Sequence, residues 1–442
     1  MKLGFIAMSG LRVQNEKLAE LGLTLPGFVE RKNVIASLPS LGLLTLAALT
    51  PDDVRASYIE LDAFSDGDDL PGHFDVVAIS SYSAQINSAY KLAAKYKQAG
   101  TKVVLGGLHV SSMPDEAIKY ADAIVIGEGE ISWKAVLSDL QKGKLKNVYA
   151  GGDVEYDFAH APLPRYEMLD IEKYNRLTVQ TQRGCPYQCE FCASSVLLTR
   201  KYKVKPIEQV VAEINEIKRY WDKPFIELAD DNTFASRSHA KRLVTALAGL
   251  NVKWFTETDI AVAEDDELLA MLSDSGCRQL LIGFESANKR GLHNIEIKAN
   301  WKERQQHKYM EAIEKIQRHG ISVNGCFILG LDGHDTDVFE DTLNFVKESG
   351  LAEVQITLQT PFPNTPLYNR LKNEGRLIDE VFWDKCTLFD VTYHPKQMTV
   401  EELEDGFLWL MENIYGGELV KQRKEKFIAQ ARECKVRGTL PV

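Results

Sequence analysis

The sequence predicts an α/β protein with three parts. They are an N-terminal doubly wound parallel sheet (Rossmann-like), a partial (β/α)6 barrel, and a mainly helical C-terminal segment. Three observations carry this. Short apolar runs alternate with amphipathic stretches along most of the chain, the pattern of parallel sheets flanked by helices. The rhythm lapses where Gly151, Gly152, Pro162 and Pro164 gather, then resumes with longer periods. After about Arg376 the strand-like runs cease. The expected units are residues 1–150, a linker over 151–170, a barrel over 171–375 and a helical segment over 376–442. A chain of 442 residues has room for them at roughly 150 residues per domain.

The first unit offers five strands: Lys2–Met8, Val54–Leu61, Val76–Ser81, Lys102–Leu105 and Ala123–Ile126. Between them, Gly42–Leu49 and Ala84–Ala99 read as helices, and Gly100 stands where a helix C-cap belongs. The second unit offers six: Leu177–Gln182, Pro224–Ala229, Lys253–Thr258, Gln279–Phe284, Val323–Leu329 and Glu353–Thr360. Helical patterns at Ile207–Tyr220, Ser238–Leu247, Asp266–Ser275 and Trp301–His319 separate them, and six such units make an open or closed barrel. Val400–Ile414 and Val420–Lys435 complete the chain as helices. In both sheets, ligands are expected beyond the carboxyl ends of the strands.

Composition narrows function. Lys and Arg number 52 against 63 Asp and Glu, a net charge of −11, which opposes broad phosphate neutralisation and hence nucleic-acid binding. No apolar run approaches the roughly 20 residues of a membrane span. Met1–Met8 reads as a strand with no signal-peptide pattern after it, so the cytoplasm is expected. The seven cysteines are too few for a disulfide scaffold, and Cys277, Cys326, Cys386 and Cys434 stand singly. Residues 421–437 carry seven Lys or Arg against two Glu, as an exposed helix face does.

The other three cysteines cluster. Residues 183–192 read Arg-Gly-Cys-Pro-Tyr-Gln-Cys-Glu-Phe-Cys, a Cys-x3-Cys-x2-Cys loop directly after the first barrel strand. Three thiolates on a tight loop suit three irons of a cubane and leave the fourth iron open to a ligand. The competing reading is a zinc knuckle without its fourth ligand, and no His follows at finger spacing. With Phe191 just before the third Cys, the loop resembles the signature of the radical S-adenosylmethionine (SAM) superfamily. The resemblance implies a [4Fe–4S] cluster on Cys185, Cys189 and Cys192, with SAM on the open iron and a 5′-deoxyadenosyl radical as its product. It also implies SAM contacts at Asp230, Asp231 and Asn232, at Glu285 and Ser286 of a Gly-x-Glu-Ser element, and at Phe327 and Gly330 of the fifth barrel strand. Strand-end turns and helix caps explain the same residue types without a ligand. Glu257 and Asp259 end the third barrel strand, where they meet SAM or substrate or cap the next helix.

In the first unit, Ser80-Ser81-Tyr82-Ser83, Gly106-Gly107-Leu108-His109 and Gly127-Glu128-Gly129-Glu130 sit at strand ends. Their glycines allow close backbone approach, or simply make βα turns. With the Ser37–Leu49 segment they resemble the cobalamin-binding domain fused to many radical SAM enzymes. The branch they resemble includes the hopanoid methylases and related anaerobic cyclases, whose C-terminal part Thr392–Met398 also resembles. The implied cobalamin contacts are Ser81, Ser83, Gly106, Gly107, His109, Gly127 and Glu128. The Asp-x-His-x-x-Gly sequence that supplies a cobalt-ligating His elsewhere is absent; Asp332-Gly333-His334 matches its first half only, within the barrel.

The leading expectation is a cobalamin-dependent radical SAM methyltransferase acting on a non-nucleophilic carbon, with methylcobalamin as donor. A radical cyclisation, rearrangement or carbon–carbon coupling without methyl transfer is the alternative enzyme. A non-catalytic cobalamin or redox sensor is the alternative of another class. Expected partners are a small-molecule substrate and an electron donor such as flavodoxin or ferredoxin. No catalytic side chain is assigned at this level.

Overall fold

The structure, a computed structural model, describes residues 1–9, 16–20, 38–152, 154–194 and 202–436. Ser37, Arg437 and the side chain of Cys434 lie outside the described residues. Two six-stranded parallel sheets dominate. The first contains β1 (Lys2–Met8), β2 (Arg55–Leu61), β3 (Val76–Ser80), β4 (Lys102–Gly106), β5 (Ala123–Ile126) and β6 (Val148–Ala150), in the order β2-β1-β3-β4-β5-β6. Its four inner strands, β1, β3, β4 and β5, are apolar and largely buried, because helices cover both faces, while the edge strands β2 and β6 are more open. β6 escapes the sequence reading: only Tyr149 of its three residues is buried, too short a run to show alternation.

β7 (Leu177–Val179) opens the second sheet. After it, β8 (Gln182–Arg183) and β9 (Lys203–Val204) form a small antiparallel pair. β10 (Phe225–Leu228), β11 (Lys253–Thr258), β12 (Cys277–Glu285), β13 (Ser322–Leu329) and β14 (Glu353–Leu358) follow. The order is β14-β13-β12-β11-β10-β7, all parallel; β7 and β14 do not pair, so the barrel stays open. The strand expected over Leu177–Gln182 is cut at Val179. The Asp230 carboxylate accepts the backbone N–H of Thr181 (2.7 Å) and Gln182 (3.0 Å), drawing the chain across the end of β10.

Most helices fall where periodicity puts them: Ile207–Tyr220, Asp266–Asp274 and Val400–Ile414 agree within a residue. Thr399 and Glu402 close a capping box on the last of these. Gly100, at φ +83°, ends the helix Ile86–Gln98. The helix expected over Trp301–His319 is instead two, Trp301–Gln305 and Tyr309–Arg318, with a 3-10 turn between. Residues 376–399 are irregular rather than helical, tied by a bridge between Leu377 and Tyr393. This stretch packs Phe382, Trp383 and Cys386 into the core of the first sheet, strapping it to the barrel. No helix among the described residues is long and apolar enough to cross a membrane.

Candidate functional site

A cavity of about 360 Å3 opens where the carboxyl ends of the two sheets face one another. Ser80, Gly106, Gly107 and Gly127 border it from the first sheet, and Gln180, Arg183, Ala229 and Asp231 from the second. Its floor runs down the first sheet between helices Leu41–Ala48 and Gly129–Gln141, over Ala78, Val104, Val125 and Trp133. The rim is kept open at glycines. A Cβ on Gly106 would meet only Val125 at 3.8 Å, and one on Gly127 nothing within 4 Å, although the φ of +78° at Gly127 itself favours glycine. The protein has room for side chains there and carries none, which fits a ligand lying against the backbone. Gly107 is the tighter position: its φ is +105° and a Cβ would also lie 2.9 Å from Ser80 Oγ, so the turn itself requires glycine.

The serines and the histidine expected here need correction. Ser80, not Ser81, lines the cavity; the Ser81 hydroxyl donates to its neighbour Tyr82 O (3.1 Å). Ser83 and His109 are buried away from it. His109 is fully enclosed, with Nδ1 3.0 Å from Ser83 Oγ, Nε2 3.3 Å from Glu116 Oε1, and its ring edge-on to Trp383. Both ring nitrogens are satisfied within the core, so His109 is neither an exposed loop residue nor available to a ligand. Glu128 borders the cavity, but Arg183 (2.7 Å) and Lys203 (2.8 Å) claim its carboxylate across the interface. Burial alone would raise it; those two cations hold it below the usual carboxylate range. Arg183 also reaches Glu130 (2.9 Å). Sequence reading missed Arg183 and Lys203, although Arg183 stands two residues before Cys185.

The cysteine loop leaves β8 at the barrel mouth. Asp231 pins its start: Oδ2 accepts Gly184 N–H (2.7 Å) and Oδ1 the Ser194 hydroxyl. The middle pairs with residues 295–297 through Glu190 N–H to Ile295 O and Ile297 N–H to Gln188 O, both 2.9 Å. Tyr187 stacks on Trp301 at 5.0 Å, and Arg370 grips Glu190 at 2.6 Å. Cys185, Cys189 and Cys192 are all free thiols, and each is within electrostatic reach of another. Burial pushes Cys185 up to about 11 and Cys189 higher still, so only metal ligation would hold them as thiolates. Among the described residues, no three His, Cys, Asp or Glu side chains converge on a single ion. A cubane instead presents separate irons to separate thiolates, so three cysteines spread along a braced loop, with no fourth beside them, suit it.

Of the expected SAM contacts, Asp231 alone borders the cavity. The Asp230 carboxylate is occupied by Thr181, Gln182 and Thr233, and burial pushes it up to about 6. Asn232 donates to Asp259 (2.7 Å) and accepts from Thr258 (3.1 Å), while Asp259 caps the turn at Ala261 N–H (2.7 Å). Glu285, at φ +65° beside a break in register, pairs with buried Lys302 (2.6 Å). Ser286 is turned inward to Asn288 O (2.8 Å) and His334 Nε2 (2.9 Å). Phe327 faces the helix layer, stacked on Phe284 (5.7 Å) and against Phe345. Gly330 lies under Tyr393, whose hydroxyl donates to its carbonyl (2.6 Å). The side chains of Asp230, Ser286 and Phe327 therefore serve the fold, and any ligand contact there falls to the backbone. Lys302 had no signal in the sequence.

Comparison with known proteins identifies both halves. Residues 179–346 match the Radical SAM superfamily, residues 33–137 the B12 binding domain, and residues 365–439 a domain of unknown function. Bacteriochlorophyllide d C-12(1)-methyltransferase of Chlorobaculum tepidum is 27% identical over 369 residues, 81% of this chain and 79% of that one. Hopanoid C-2 methylase of Rhodopseudomonas palustris is 27% identical over 364 residues, 79% and 67% of the two chains. The fold matches the radical SAM methyltransferase TsrM of Kitasatospora setae, solved with cobalamin and a [4Fe–4S] cluster. The TM-score is 0.66 at 14% identity, over 98% of this chain and 99% of that one. Two matched families thus share one cavity: the chain joins a B12 binding domain to a radical SAM domain.

Proposed function

We propose that the protein is a C-methyltransferase that methylates a small molecule at a carbon lacking nucleophilic character. One observation carries this reading: the open glycine rim of the first sheet and the two residues that flank the cysteine loop of the second, Arg183 and Ser194, border a single cavity. When bound, the cluster with SAM supplies a 5′-deoxyadenosyl radical, and cobalamin supplies the methyl group. Cys185, Cys189 and Cys192 would hold the cluster. Gly106, Gly107 and Gly127 would admit the cobalamin tail along the apolar floor. Asp231 fixes the start of the cysteine loop, and the Arg183–Glu128–Lys203 set fixes the two sheets against each other at the place where both groups must meet. A one-electron donor such as flavodoxin or ferredoxin would reduce the cluster. Six free cysteines among the described residues suit the reducing cytoplasm.

The test uses anaerobically reconstituted protein with cobalamin and SAM. The expected result is 5′-deoxyadenosine release together with the absorbance of methylated cobalamin. Cys189→Ala should lose iron and deoxyadenosine together and still take up cobalamin. Deoxyadenosine release with no methylation of cobalamin would overturn methyl transfer in favour of a radical rearrangement or cyclisation.

A further inference from the structure

One carboxylate on the concave face of the second sheet is left unmatched. On β11, Thr256 and Thr258 turn to the helix side, their hydroxyls donating to Leu228 O (3.3 Å) and Asn232 Oδ1 (3.1 Å). Glu257, between them, therefore faces the barrel lumen and is accessible from it. By register it stands beside Leu281 of β12, and Leu281 beside Asn324 of β13, so the three share a layer. Carboxylates of Glu227, Asp231, Asp230 and Glu285 lie near enough to act electrostatically on Glu257, as Glu257 does on the Cys326 thiol of β13.

Each of the four neighbours is answered. Arg176 pairs with Glu227 and Lys302 with Glu285. Asp231 accepts from Gly184 and Ser194, and Asp230 from Thr181, Gln182 and Thr233. Among the described residues, Glu257 has neither a cation nor a hydrogen-bond donor. In the same layer Asn324 is only 4% exposed, and its Oδ1 also has no donor. Although its side chain is open to the lumen, its depth among the strands, and then repulsion from those carboxylates, pushes Glu257 up to about 8. A neutral donor would supply hydrogen bonds and leave the repulsion in place; a cation relieves both.

We propose that Glu257 and Asn324 receive a protonated nitrogen of the substrate, so that the small molecule taken into the lumen is an amine. The inference rests on the proposed methyl transfer for the reaction it serves. SAM is itself a cation, so the test must separate the two. Holoprotein carrying cluster, cobalamin and SAM is titrated calorimetrically with cyclohexylammonium and with cyclohexanol. The ammonium should bind about tenfold more tightly, a gap of one decade in Kd. Glu257→Gln should erase the gap while iron content, cobalamin uptake and SAM affinity stay at the native level. Equal binding of the two probes by native protein would overturn the proposal. Loss of SAM affinity in Glu257→Gln would also overturn it and assign the carboxylate to SAM. If Glu257→Gln fails to take up iron, Asn324→Leu carries the same comparison and should narrow the gap; an unchanged gap there counts against the site. Methylation of cobalamin by SAM needs no substrate, so its failure would remove methyl transfer and leave the ammonium preference standing.

Discussion

Gly106 and Gly107 are neighbours with different reasons to be glycine, and that difference is testable. Gly106 has space for a side chain, so Gly106→Val should change stability by less than about 1 kcal/mol and yet block the cavity rim. Gly107→Ala should cost about 1 to 3 kcal/mol, because its positive φ and the nearby Ser80 Oγ oppose a Cβ. Denaturant unfolding gives the stabilities, and cobalt content after gel filtration gives cobalamin retention. A stable Gly106→Val protein with full cobalt would place the tail elsewhere. His109 shows the converse at the same scale. Its loop suggested a ligand contact, whereas Ser83, Glu116 and Trp383 consume every face it has.

At the scale of elements, the loops after β12 and β13 lean on one another through Ser286 and His334. Burial lowers the His334 imidazole to about 3, so it stays neutral in the folded protein. An unfolded histidine titrates near 6.5. Stability is therefore unaffected above pH 6.5. It falls as pH drops from 6.5 towards 3, because the unfolded chain takes up a proton that the folded one refuses. The slope is up to about 1.4 kcal/mol per pH unit. His334→Gln should flatten this part of the stability curve, measured by urea unfolding between pH 4 and 7. An unchanged slope would mean that His334 is protonated in the folded state. The cysteine loop is braced just as locally, by Asp231, residues 295–297, Trp301 and Arg370, so its shape does not depend on its tip alone.

Across the whole molecule, two sets of contacts hold the sheets in register. Arg183 and Lys203 meet Glu128 and Glu130 beside the cavity. On another side, Trp383 enters the first sheet's core and donates to Glu116 (3.0 Å), while Asn87 donates to Asp384 (3.0 Å). Arg183→Met should cost about 3 kcal/mol, since it leaves two half-buried carboxylates short of a partner. Trp383→Ala should cost about 3 to 5 kcal/mol through the cavity it opens. In both variants, hydrogen exchange should quicken around residues 83–116 before it does in the barrel strands. Uniform quickening through both sheets would argue against a strap.

The sequence by itself determined the two parallel sheets, nearly every strand in them and the position of the cysteine loop. Each of these is written locally: apolar runs of strand length, glycine and proline at the breaks, and three cysteines within eight residues. Tertiary structure alone decided which side chains face the cavity. Phe327 and Cys326 are adjacent on one strand, and parity sends the first to the helices and the second to the lumen. Asp230 and Asp231 are adjacent too, yet one is drawn into the bend after β7 and the other into the cysteine loop. Arg183 and Glu128, or Trp383 and His109, become neighbours only when distant segments fold together. Composition and periodicity describe how a segment divides its apolar surface; they carry no record of which polar partner in a distant segment will satisfy a buried charge.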